Sequence, residues 1–467
     1  MSVDPGKEIN PKEQIQRRPS VMDGTCTNTI HDEVFGEIGE GGPNYRSLGW
    51  KGTVVVMLKT QIGLGALTIP QVFEVLGLIP GAICVIAVAA MITWANYIVG
   101  TFKLRHREVY GIEDVGRIFM GRFGYEFFGW LFAIYWTLTA SASFIGLSTC
   151  FNAISSHGAC TAIFVAVAAV MGFFLGSIQT LGKISWIAWI GIISIVCSIL
   201  VLTVSVGVQD RPAAAPQTPS PWKSDFVLFA TPTPAEAFAA VATTVFAFAG
   251  TPAFFNIVSE MKDPRVYTRA VMVCQSIMAA LYVVVGCVVY YYCGSYVATP
   301  ALGSAGAKMK KVCYGIALPG LFVSTAMFVH FTGKYLFLRF MRGSSHLTRN
   351  SPTHWAVWIS CTAGNAIVAY IIASAIPILS GLASLIGAFG GTLMSMQPTG
   401  FMWLYDNWYE KRTFAWKVSF VWSIFMILGG TFLTIAGSYG AVVAIVNDYK
   451  ASGGSAAWSC ADNSASS

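Results

Sequence analysis

Long apolar runs, each broken off by charges, glycines or prolines, recur along almost the whole chain. Eleven are read, at about 53–76, 78–102, 125–152, 159–178, 183–208, 236–260, 268–293, 313–341, 354–374, 376–405 and 414–446. At 1.5 Å per residue, each is long enough to cross the roughly 30 Å hydrocarbon core of a bilayer as a helix. The pattern predicts an all-α polytopic membrane protein. Trp94, Trp130, Trp136, Trp355, Trp403 and Trp408 fall mostly near run ends, as an interfacial aromatic belt requires. The flanks differ. Residues 1–50 are polar and read as a disordered tail with no cleavable signal; residues 51–447 read as the membrane domain, and 448–467 as a second, Ser-rich disordered tail.

Composition agrees. Only 11% of residues are charged, against about 25% in an average soluble domain. The net charge of +7 comes from loops on one side of the predicted membrane, so no nucleic-acid partner is expected. Lys103, Arg105, Arg107, Arg117 and Arg122 share that side with Lys262, Arg265, Arg269, Arg339, Arg342, Lys411 and Arg412. The positive-inside rule then sets the N-terminus in the cytoplasm and, for an odd number of spans, the C-terminus outside. Residues 103–124 form a basic amphipathic stretch expected on the inner surface. Residues 209–235, with Pro212, Pro216, Pro219, Pro221, Pro232 and Pro234, read as an extended outer connector.

Two runs carry helix breakers at membrane depth. QIGLGALTIP places Gly63, Gly65 and Pro70 in the first, and FAFAGTPAFFN places Gly250 and Pro252 in the sixth. Non-helical backbone is tolerated in the hydrocarbon region only where protein buries it or a wet cavity adjoins it. Breaks at corresponding places in two halves point to a transporter's central site. The spacing suggests repeats over about 51–208 and 236–405 in opposite orientation, plus an extra helix at about 414–446.

GLGALTIP in the first run and FAFAGTPAFFNIVSEMKDP in the sixth resemble the signatures of the amino acid/auxin permease family, within the amino acid–polyamine–organocation superfamily. The likeness is greatest to fungal neutral amino acid permeases and spans about Trp50 to Asn447. It implies a five-plus-five inverted repeat and amino acid uptake, usually coupled to protons. A zwitterion could be held by peptide groups alone. The N–H groups of Gly65, Ala66 and Leu67 would take the carboxylate, at the positive end of a half-helix. Carbonyls of Gln61, Phe246, Ala247 and Ala249 would take the ammonium. Phe246, Phe248, Phe254 and Phe255, with Tyr135 or Trp136, would shape an apolar side-chain pocket. The expected substrate-binding set is Gln61, Gly63, Leu64, Gly65, Ala66, Leu67, Tyr135, Phe246, Ala247, Phe248, Ala249, Gly250 and Thr251. With no carboxylate at this depth, the expected substrate is a neutral aliphatic or aromatic amino acid.

Intramembrane ionisable groups are candidates for coupling. Lys59 lies one turn before Gly63. By resemblance to sodium-coupled relatives, its ammonium would occupy the place of a cation between spans 1 and 8, with Ser324 and Thr325 as partners. A snorkelling lysine is the plain alternative. His330, one turn before Lys334, is a candidate proton relay. Glu260 reads as a cytoplasmic gate, paired with an arginine of the 103–124 loop. Cys293 and Cys313, or Cys150 and Cys160, flank loops that would permit a disulfide if those loops face outside.

No HExxH or paired acidic motif is present and the six histidines are scattered, which argues against an enzyme or a metal site. No cofactor is expected. The reading is a proton-coupled secondary transporter of the plasma membrane, partnered by a small amino acid and the lipid bilayer. A vacuolar transporter or an amino acid sensor would carry the same motifs.

Overall fold

In the computed structural model, the described residues are 48–178, 181–212, 215–216, 222–248, 250–342, 344, 346–347, 351–451 and 458–464, together with the strands β1 (Ile30–Asp32) and β2 (Gly36–Ile38), which pair antiparallel. The other described elements are helical. They are α1 (Trp50–Gln61), α2 (Leu64–Leu76), α3 (Leu78–Arg105), α4 (Ile112–Ser155), α5 (Thr161–Gly176), α6 (Leu181–Val208), α7 (Pro234–Phe248), α8 (Thr251–Ser259), α9 (Tyr267–Cys293), α10 (Ala307–Met341), α11 (Pro352–Ala375), α12 (Leu379–Leu385), α13 (Thr392–Asn407) and α14 (Phe414–Ala451), with short 3₁₀ turns between some. A π-helical turn, Ile386–Gly391, joins α12 to α13.

Among the described residues, nine segments are long and apolar enough to cross a membrane, and the α1–α2 pair, bent by 49°, makes a tenth. The predicted span at 159–178 is the 16-residue α5. The face where α1 starts is called proximal here and the opposite face distal.

Burial sorts the helices. In their most apolar windows, α4 and the α7–α8 pair are 89% and 88% buried, whereas α14 is 17% buried. The broken segments are thus wrapped by other helices, and α14 lies outside them with Val421, Leu428 and Ile435 exposed to the bilayer.

Two local features set the frame. Gly121, at φ 62°, interrupts α4 and separates an arm at its start from the span proper. No atom lies within 4 Å of where its Cβ would be, so backbone conformation rather than space demands glycine there. At the distal face, part of the second tail is ordered, against expectation. Cys160 forms a disulfide with Cys460, and Cys293 and Cys313 are free thiols, as is Cys150. The pairings inferred from neighbouring loops are therefore corrected, because the partner comes from a segment 300 residues away. Around the disulfide, Asn152 donates to Asn463 (2.8 Å), Asn463 to Ser148 (3.0 Å), Thr161 to the Ala461 carbonyl (2.6 Å) and Lys310 to the Ser464 carbonyl (3.0 Å). The Trp458 N–H donates to the Ser374 carbonyl at 2.9 Å. Residues 458–464 thereby fasten the distal ends of α4, α5, α10 and α11.

Candidate functional site

The first run breaks at Ile62 and Gly63, between α1 and α2. Pro70, expected to mark the break, lies inside α2. The sixth run breaks between α7 and α8, with Pro252 in the first turn of α8, where a missing N–H costs no helical bond. Ala249 lies outside the described residues.

The two breaks meet. A Cβ on Gly65 would fall 2.8 Å from Ala247 Cα, so only glycine permits this approach of backbones. A Cβ on Gly250 would fall 2.7 Å from Thr60 Oγ1 and 3.2 Å from Gln61 Nε2. One hydroxyl ties the junction: Tyr282 of α9 lies 3.0 Å from the Gln61 carbonyl and 2.9 Å from the Ala247 carbonyl. A phenol has a single O–H, so one proton serves both carbonyls. Among the described residues, that single O–H is the only donor to either carbonyl. Beside it, both amide atoms of Gln61 and the Thr251 hydroxyl are buried without a hydrogen-bond partner among the described residues. The first N–H groups of α2, from Gly63 to Ala66, have no acceptor within their own helix, whereas that of Leu67, expected to be free, makes the first helical bond back to the Gly63 carbonyl. The junction thus offers N–H groups to an anion and a carbonyl to a cation.

Apolar walls surround it. Leu64, Ala66, Leu67, Phe246, Phe248, Phe254 and Phe255 are buried, and Phe248 stands edge-on to Tyr282 at 4.9 Å. Of the two aromatic candidates on α4, Tyr135 lies against Gly390 of the π turn, which packs on α7. Trp136 turns into α10, 5.5 Å from Phe328 and 4.7 Å from Phe331.

Lys59 is fully buried. Its ammonium donates to the Ile62 carbonyl (3.0 Å), freed by the break, and to Ser324 Oγ of α10 (2.6 Å). No carboxylate pairs with it among the described residues. Gly63 faces the same spot: its Cβ would fall 2.7 Å from Ser324 Oγ. Among the described residues Lys59 makes no hydrogen bond to Thr325, whose hydroxyl donates to the Leu321 carbonyl one turn back. His330 packs against Trp358 and Phe331. Six residues beyond Ser324, it points to another side of α10, away from Lys59.

Glu260 lies towards the proximal end, just past α8. It is 1% exposed and ion-paired with Lys334 of α10, a partner other than the expected arginine. The 103–124 segment supplies Tyr110 instead, whose hydroxyl lies 3.5 Å from Glu260 Oε1 and whose carbonyl accepts from Ser259 Oγ at 3.2 Å. Arg342 turns outward to Asp114 (3.7 Å). Sequence reasoning missed Tyr282, the Lys334 pairing and the π turn. A lone tyrosine in ALYVVVG and the glycines of IGAFGG were the available signals.

Two interrupted helices facing each other inside a bundle define a membrane transporter. The fold is shared with MhsT in complex with L-phenylalanine, at TM-score 0.52 and 13% identity, over 85% of this chain and 97% of that one. The chain belongs to the family described as Transmembrane amino acid transporter protein, which matches residues 46–443. It is 34% identical to a transmembrane transporter of Fusarium pseudograminearum over 92% of this chain and 90% of that protein. It is 30% identical to the N amino acid transport system protein of Neurospora crassa over 75% of each.

Proposed function

We propose that this chain imports neutral aliphatic or aromatic amino acids across the plasma membrane by proton symport, through alternating access around the junction of α1–α2 and α7–α8. The observation that carries the reading is the pair of carbonyls, Gln61 and Ala247, converging on one Tyr282 proton. A substrate ammonium is a second donor to them. Its carboxylate meets the start of α2, and its side chain meets Phe246, Phe248 and Tyr135. The binding residues are Gln61, Gly63 to Leu67, Tyr135, Phe246 to Phe248, Gly250 and Thr251.

Lys59 is the coupling group. Protonated, it bonds Ile62 and Ser324 and braces α1 on α10. On losing its proton it becomes a weaker donor, and α1 is free to tilt with α8. The Glu260–Lys334 pair with Tyr110 is the proximal gate. The proximal face is cytoplasmic, supported by the clustering of lysine and arginine there. The distal face is extracellular, supported by the Cys160–Cys460 disulfide, which persists in an oxidising compartment.

The test is uptake by proteoliposomes holding the full chain, with a panel of neutral, acidic and basic amino acids under imposed pH or sodium gradients. Accumulation of neutral substrates driven by an acidic exterior is expected. Binding without flux would replace transport by sensing, and sodium-driven flux would remove the role of Lys59.

A further inference from the structure

The start of the α4 arm lies on the proximal side of Gly121, outside the span proper. With the end of α10 it walls a recess of about 80 Å³, large enough for water. The rim is wet, since the side chains of Glu108 and Arg342 are 66% and 56% exposed. Inside, Glu113 is only 8% exposed. Its carboxyl group curls back over Gly111, where a Cβ would clash with both oxygens.

The cations around Glu113 are committed elsewhere. Arg342 donates to the Tyr125 hydroxyl at 2.9 Å and lies 3.7 Å from Asp114. Arg339 pairs with Glu126 and donates to the Tyr335 hydroxyl at 3.1 Å. Arg117 sits over the Tyr125 ring, 4.2 Å from its centre. Among the described residues, none donates a hydrogen bond to the Glu113 carboxyl from another position in the chain, and none forms an ion pair with it. A carboxyl buried without donor or counter-ion is held in its neutral form. Burial, and then the Asp114 carboxylate beside it, push Glu113 up from 4.5 to about 8, against the pull of its own N–H, Arg342 and Arg117.

One residue joins this carboxyl to the end of α8. The Tyr110 N–H donates to Asp114 Oδ2 at 3.0 Å, while its carbonyl and hydroxyl reach Ser259 and Glu260. We propose that Glu113 is a proton site facing the cytosol that holds the proximal gate shut. Protonated, it lets the arm pack on α10 with Tyr110 against Glu260. Ionised, it is repelled by Asp114, and the start of the arm moves into water and takes Tyr110 off the gate. The inference rests on the gate assigned above to Glu260, Lys334 and Tyr110. Its sign follows from linkage. The shut state binds the proton more tightly, so its advantage is complete below 4.5 and is lost as pH rises towards 8. Between pH 6 and 7.5 the open fraction should grow about 20-fold. Protons delivered to the cytosol by symport would thus close the gate behind them.

The test uses the full-length protein in lipid nanodiscs, without a gradient. A hydrophobic carbodiimide, which attacks protonated buried carboxyls, should modify Glu113 at pH 6 and not at pH 9.5, read by peptide mass spectrometry. Amide hydrogen exchange of residues 106–114, divided by the chemical rate at each pH, should rise about 20-fold from pH 6 to 7.5 in the wild type. In Glu113→Gln it should stay slow at both. If that variant does not fold, the two wild-type readouts decide. Glu113 left unmodified at pH 6, modification without any pH dependence of exchange, or the same pH response in Glu113→Gln overturns the proposal. Neither readout needs flux, so a chain that binds without transporting would fail the proteoliposome test and still pass this one.

Discussion

Replacing Lys59 with methionine separates coupling from stability. The side chains are similar in length, so packing over Gly191, whose Cβ would fall 2.9 Å from Lys59 Cε, is largely kept. The change removes two charge-assisted hydrogen bonds, at 3.0 and 2.6 Å, each worth about 1.5–3 kcal/mol. It also removes the cost of burying an ammonium without a counter-ion, which is several kcal/mol. These terms oppose each other and are of similar size. Lys59→Met should therefore fold, with an unfolding midpoint near that of the wild type. Function should change sharply. A pH difference of two units supplies about 2.7 kcal/mol per proton, enough for about 100-fold accumulation of a substrate carried with one proton. In proteoliposomes with an acidic exterior, the wild type should approach that ratio. Lys59→Met should only equilibrate its substrate, while still exchanging labelled for unlabelled amino acid. Gradient-driven accumulation by this variant would refute the coupling role.

Gly65→Val should abolish uptake at unchanged surface expression, because its Cβ would meet the Ala247 backbone at 2.8 Å; normal uptake with surface biotinylation equal to wild type would dissociate the glycine from the site. Glu260→Gln takes the carboxylate from buried Lys334 and should cost about 3–5 kcal/mol, read as a lower unfolding midpoint. The double change Glu260→Gln, Lys334→Met should restore most of it, and equal midpoints for wild type and single variant would show that the pair holds nothing. On intact cells, a membrane-impermeant maleimide should label Cys160 and Cys460 only after reduction, and serine at both positions should remove the signal. Labelling confined to permeabilised cells would reverse the assigned sidedness.

The membrane class and the two breaks were legible in the sequence because they depend on local quantities. Hydropathy over twenty residues decides whether a segment enters a bilayer, and glycine and proline act on their own backbone. Lys59 and Ser324 were legible for a different reason: the family resemblance set spans 1 and 8 side by side. Pairings between distant segments left no such trace. Cys460 meets Cys160 because the ordered tail returns over the distal ends of α4 and α5. Glu260 meets Lys334 because α8 ends beside α10, while Arg342 pairs with Asp114.

The sequence alone determined an all-helical membrane transporter of the amino acid transporter family, with breaks near Gly63 and Gly250. Tertiary structure decided that the breaks touch, that Tyr282 shares one proton between their carbonyls, and that Pro70 stays within a helix. The physical reason is one of range. Apolar burial and helix breaking are settled within a few turns of chain, whereas a hydrogen bond between α1, α7 and α9 exists only once three separate helices have packed.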